Sequence, residues 1–149
     1  MANTNITRAG TNAQKKVKRV LSIRVNETSF LNAGVQLAVG TQHFLVAQLP
    51  ERAVLTDAYV VVDTVANSAT TATAALGTAE AGAQIMAAAD VKTAAVVTGS
   101  LVGKLKTGTG MPIYLALVYT GATTNFGDYT VVIEYTEYTK KSGEYTQFI

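Results

Sequence analysis

Two runs in the C-terminal third leave this chain little choice of fold. In Met111–Tyr119, the residues Met111, Ile113, Leu115, Leu117 and Tyr119 fall on one parity. A second run repeats the pattern, with Tyr129, Val131, Ile133 and Tyr135 set against Thr130, Glu134 and Thr136. Side chains of a strand point alternately to opposite faces, so each run reads as a strand with one buried face. The stretch between them, Thr120–Gly127, is rich in Thr, Gly and Asn, which is turn chemistry. The pattern predicts a hairpin forming the inner wall of an all-β core, with Leu115 and Ile133 buried and facing each other.

The rest of the chain follows the same period. Val17–Val25 reads as a strand with Leu21, Ile23 and Val25 inward and Ser22 and Arg24 outward. Val35–Val39 reads as a short strand between Gly34 and Gly40, and Gln42–Leu49 as another that Pro50 ends. In Val54–Thr64, parity places Val54, Ala58, Val60 and Val62 on one face and Asp57, Tyr59 and Asp63 on the other. Thr70–Leu76 alternates Thr with Ala, while Ala94–Thr98 and Leu101–Lys106 look like pieces of one bent strand around Gly99 and Ser100. Only Ala79–Lys92 departs from the period. Ile85, Ala88, Ala89 and Lys92 have helical spacing there, which allows one short helix despite Gly82. About eight strands with Gly-containing connections predict an antiparallel β-sandwich of jelly-roll type with at most one short helix.

At 149 residues the chain suits one domain, large enough to need neither disulfide nor metal for its core. It has no Cys, which excludes thiolate chemistry and a disulfide framework. Charged residues make up only 15%, with Thr and Ala standing where Lys and Glu are usual, as on a surface covered by partners. The N-terminus has no apolar core of a signal peptide, and no apolar run is long enough for a membrane helix. Charge is unevenly spread. Arg8, Lys15, Lys16, Lys18, Arg19 and Arg24 precede any acid, whereas the six basic residues after them face all ten acids. The expected organisation is a flexible basic arm over 1–16, a sandwich over 17–138 and a polar tail over 139–149.

Sites of chemistry are hard to find. His43 is the single His, in an apolar strand context that favours a structural role. Gly99–Leu105 imitates a phosphate loop but is one residue short, with Leu105 where a metal-binding hydroxyl belongs. Gly108–Gly110 suits a tight turn before Pro112. Asp57 and Asp63, six residues apart on a strand, stand roughly 20 Å apart, too far for paired acid–base work. Six of the seven tyrosines lie in 114–145. Tyr119, Tyr129 and Tyr135 share the core parity, while Tyr59, Tyr114 and Tyr138 lie on outer faces and are candidates for partner contact. Lys15, Lys16, Lys18 and Arg19 form a second candidate, able to meet nucleic acid, a membrane or an acidic protein, or simply to stay solvated. No catalytic, cofactor-binding or metal-ligating residue is expected.

Several stretches together resemble a known family. They are Leu49–Thr64 with its Pro-ended turn and valine strand, Ala75–Thr78, Met111–Leu117, and the closing Phe126–Tyr135. In this order, over about residues 45–138, the chain is similar to tailed-bacteriophage decoration (cement) proteins of jelly-roll type. The resemblance implies a non-enzymatic structural protein on the virion exterior, made in the host cytoplasm. It would bind the major capsid protein and itself, as dimer or trimer, with no cofactor and no membrane. Nucleic acid is disfavoured as a partner, because a decoration protein lies outside the shell. The alternative is a carbohydrate-binding or host-attachment module of a virion, using the outward Tyr residues on glycan.

Overall fold

The computed structural model describes residues 15–26, 38–80, 82–94, 96–98, 105–107 and 110–139. They form nine strands: β1 Lys15–Asn26, β2 Gly40–Leu49, β3 Ala53–Thr64, β4 Thr71–Gly77, β5 Met86–Asp90, β6 Val96–Thr98, β7 Leu105–Lys106, β8 Met111–Thr120 and β9 Asp128–Thr139. One sheet has the order β1-β9-β3-β6, with β7 also pairing β3, and the other has the order β2-β8-β4-β5. Both β6 and β7 run antiparallel to β3, at Tyr59–Val61 and at Val54–Leu55, as pieces of one interrupted strand. Counted so, the fold is an antiparallel sandwich of two four-stranded sheets in jelly-roll order, the predicted class.

The core lies between the sheets. The predicted alternation of the C-terminal runs holds: Ile113, Leu115, Leu117, Tyr119, Val131 and Ile133 are fully buried. Their relation differs from the expected hairpin. β8 pairs with β2 and β4, and β9 with β1 and β3, so the two runs face each other from opposite sheets. Alternation reports which face of a strand is dry but not which neighbour it bonds, and an apolar face is equally satisfied across a core.

Two β-bulges correct the sequence parity. In β3 the register slips between Leu55 and Asp57, so Ala53 and Leu55 point inward before it and Ala58, Val60 and Val62 after it. Val54, assigned to the core face, is therefore only half-buried, and Leu55 takes its place. In β2 the slip lies at Val46, between Leu45 and Ala47; Phe44 packs on the core before it, Val46 within it, and Ala47 and Leu49 after it. One extra residue reverses the facing of all that follow.

The segment given a possible helix is strand β5 instead. Its flanks hydrogen-bond to β4, Ile85 N–H to Leu76 O at 3.0 Å and Val91 N–H to Ala72 O at 3.0 Å. A Cβ on Gly77 would stand 2.2 Å from Gly82 O, so the backbones touch where the chain turns back. Pairing with a buried neighbour outweighs the modest helix preference of Ala. β2 begins at Gly40, after Ala38 and Val39 outside any strand; the rest of the predicted Val35–Val39 strand lies outside the described residues. So do residues 1–14, 99–104 and 140–149, and with them most of the expected arm and tail. β1 starts at Lys15 and β9 ends at Thr139, each slightly beyond the predicted sandwich limits.

Candidate contact surfaces

The clustered basic residues belong largely to a strand edge. Lys15, Lys16, Lys18 and Arg19 all lie in β1, paired in register with Thr139, Tyr138, Thr136 and Tyr135. Lys18 Nζ lies 2.8 Å from Glu134 of β9, and Arg19 Nε 3.5 Å from Glu137. Arg24 donates to Asp128, with Nε at 3.1 Å from either carboxylate oxygen. Hydrogen bonding to Glu134 and its charge raise the Lys18 ammonium pKa, and Asp128 does the same for Arg24. A row of like charges along an edge discourages pairing with another strand, so this part of the cluster has a structural use apart from any partner.

The outer face of the same sheet holds Tyr59, half-buried, beside Val132 of β9 and Thr98 of β6. Val61 and Val96 form the adjacent rung, and Val96 is 56% exposed. Asp57 and Asp63 rim this face on β3; Thr130 Oγ1 donates to Asp63 at 2.6 Å. Tyr114 stands on the other outer face, between Leu45 of β2 and Gly77 of β4. The sandwich therefore separates Tyr59 and Tyr114 by its full thickness, and they share no aromatic platform. Tyr138 is opposite Lys16 in β9, with its side chain outside the described residues.

One end of the sandwich is tied by features that sequence reading missed. Asn67 Oδ1 accepts from the Thr124 and Asn125 N–H groups at 3.0 and 2.8 Å, clamping loop 65–70 to loop 121–127. Ser68 Oγ sits within hydrogen-bond reach of the Thr71 and Thr120 carbonyls. Beneath them, Tyr119 and Tyr129 each donate to Phe126 O at 2.7 Å, and the Phe126 ring meets Tyr119 edge-on at 5.0 Å. Burial raises the pKa of both tyrosines, that of Tyr119 well above the ordinary range. The only signal for this lock was the core parity of Tyr119 and Tyr129. Nothing in the spacing showed their hydroxyls meeting on one carbonyl.

A shallow depression of about 520 Å³ lies beside the clamped loops, lined by Thr70, Thr71, Thr73, Asp90, Lys92 and Thr93. Lys92 Nζ donates to Thr70 O at 3.2 Å, and Asp90 Oδ1 accepts from Lys92 N–H at 3.0 Å. No aromatic ring lines it, so it does not offer the stacking surface a sugar ring uses. His43 is half-buried on the outer face of β2 opposite Ala116. Among the described residues no group of three His, Asp or Glu could hold a metal ion, and no helix is long and apolar enough to cross a membrane.

Against known proteins, no family model and no curated protein matches this sequence. The fold does match solved structures. A chain in the acidic stable capsid structure of Helicobacter pylori bacteriophage KHP30 aligns with a TM-score of 0.58 at 10% identity, over 87% of this chain and 95% of that one. A chain in the cyanophage Pam1 capsid asymmetric unit aligns with a TM-score of 0.52 at 17% identity, over 85% of this chain and 86% of that one. The sandwich is thus a fold found in two phage capsid assemblies.

Proposed function

We propose that this chain is a structural protein of a bacteriophage virion, and more narrowly a decoration protein. It would sit on the head exterior, self-associate and bridge major capsid subunits, after synthesis in the host cytoplasm. The observation that carries this is the near end-to-end match to chains of two phage capsid structures, 95% and 86% of those chains being covered. A composition low in charge and rich in Thr and Ala supports a role played by buried area. The reading calls on no catalytic group, cofactor, membrane or nucleic acid, and puts Arg8 and the basic residues at the start of β1 against acidic protein surface.

Mass spectrometry and cryo-electron microscopy of purified particles test this. The expected result is many copies per particle, in density outside the coat lattice. Absence from particles overturns the virion assignment, and density inside the shell or in the tail overturns the decoration role alone. Selective binding on a glycan array, with few copies per particle, would instead support the attachment module.

A further inference from the structure

The outer face of the β1-β9-β3-β6 sheet has an apolar middle. Val132 of β9 pairs with Tyr59 of β3, Val61 lies on the next rung beside Val96, and Val20 of β1 lies one rung to the other side. Val20 and Val96 are each 56% exposed, and Val132, Tyr59 and Val61 are half-buried. An outer face left to solvent ordinarily carries polar residues at such positions. The charges stand around this strip at matched distances from Val132. Arg24, which pairs with Thr130, is one rung to one side, and Glu134 is one rung to the other. Asp128 is two rungs away on the side of Arg24, and Lys18, which pairs with Thr136, is two rungs away on the side of Glu134. Opposite signs therefore stand at equal distances on either side of one rung. Within the chain, Lys18 pairs with Glu134 and Arg24 with Asp128.

We infer that this face packs against the same face of a second copy, about a two-fold axis that crosses the strands at the Val132 rung. The occupant follows from the charge pattern. A face whose charges mirror each other with opposite sign about its own centre is complementary to itself, and a two-fold axis closes the assembly at two chains. Rotation about that axis lays the Arg24 rung of one copy on the Glu134 rung of the other, and the Lys18 rung on the Asp128 rung. Val132 and Tyr59 meet their own counterparts at the centre. Each cation keeps the anion of its own chain and gains one from the second copy. Asp57 and Asp63, both exposed, lie beyond the ends of the β3–β6 ladder at the rim, where solvent screens them. Strand spacing and rise make the face roughly 20 by 25 Å. The two copies together bury about 1,000 Å², the size of a weak and reversible contact. The inference rests on the self-association proposed above and specifies it, while its test needs no particle.

The full-length chain is examined by analytical ultracentrifugation across a concentration series. The expected species is a dimer that appears as concentration rises. Arg24→Glu or Glu134→Lys alone sets like charges against each other across the axis and should weaken the dimer about tenfold or more. Mixed in equal amounts, the two variants should associate about as tightly as the unaltered chain. In the mixed dimer the two altered positions attract each other, and the other Arg24–Glu134 pair is unchanged. A role confined to the ion pairs within one chain predicts no such recovery. Lys18→Glu with Asp128→Lys repeats the test on the second pair, and circular dichroism establishes that each variant is folded. Leu45→Lys, 58% exposed on the outer face of the other sheet, should leave the dimer unchanged. A trimer, a monomer at every concentration, a dimer indifferent to the single variants, or variants that stay apart on mixing would each overturn the inference. Particle binding by such a chain would still leave the virion assignment standing.

Discussion

At Gly127 both backbone conformation and surroundings demand glycine. Its φ is +85°, and a Cβ there would stand 2.5 Å from Tyr129 Oη and 2.8 Å from Thr64 O. Gly127→Ala should therefore destabilise the protein by about 1–3 kcal/mol from backbone strain and crowding, read from urea unfolding midpoints. The neighbouring lock predicts a non-additive pair. Tyr119→Phe or Tyr129→Phe alone leaves Phe126 O with one donor and should cost about 1 kcal/mol. The double variant strands a buried carbonyl, so its cost should exceed the sum of the single ones. The same pair sets an alkaline limit. Folding keeps both phenols neutral above the unfolded-state pKa of roughly 10, so this contribution is intact below that pH and is lost as pH rises through and beyond it. A stability profile from pH 8 to 12 should fall above about 10, and more gently in the double Phe variant.

At the level of strands, the alternating face of β8 and β9 was legible because each is regular over ten or more residues. Leu115→Ala and Ile133→Ala, both fully buried, should each cost about 2–5 kcal/mol in the same unfolding assay. Less legible was anything that depends on a partner strand. The bulges of β2 and β3 are invisible in Phe44–Leu49 or Val54–Asp57 alone, because a bulge is defined by the strand opposite. β5 read as helical because local propensity was the only term in view, and the ladder with β4 was not. For the contact residues, Tyr59 and Tyr114 were correctly placed outside the core. That they lie on opposite faces needed the sheet order. Thr107 went unnoticed for the same reason. Its side chain is almost fully buried, and its Oγ accepts from Ala53 N–H at 2.9 Å and donates to Pro50 O at 2.7 Å, pinning β7 to the start of β3. Thr107→Val keeps the shape, leaves the Ala53 N–H without this acceptor, and should lower stability by about 1–3 kcal/mol.

For the molecule as a whole, the closing contact joins the ends of the sandwich. β1 pairs with β9 from Lys15 opposite Thr139 to Asn26 opposite Asp128, so β9 is central only because β1 covers it. The surface ion pairs along this seam contribute little, since Lys18, Arg19 and Arg24 are more than half exposed. What β1 supplies is the backbone ladder and the apolar side of Leu21, Ile23 and Val25 against the core. This separates two truncations that a simple arm-and-body division would treat alike. Removing residues 2–14 leaves every described strand intact, so the shortened chain should unfold cooperatively with a midpoint close to that of the full chain. Removing residues 2–26 bares the ladder edge of β9 and one flank of the core, and should give an insoluble or non-cooperatively unfolding product. Circular dichroism and urea titration compare the two. If the first truncation keeps the fold, its binding to particles isolates what the segment before β1, whose single cation is Arg8, contributes: weaker occupancy gives that segment a part in docking, whereas unchanged occupancy leaves docking to the sandwich and the basic residues of β1. If removal of β1 were harmless, the jelly-roll register between the chain's two ends would be wrong.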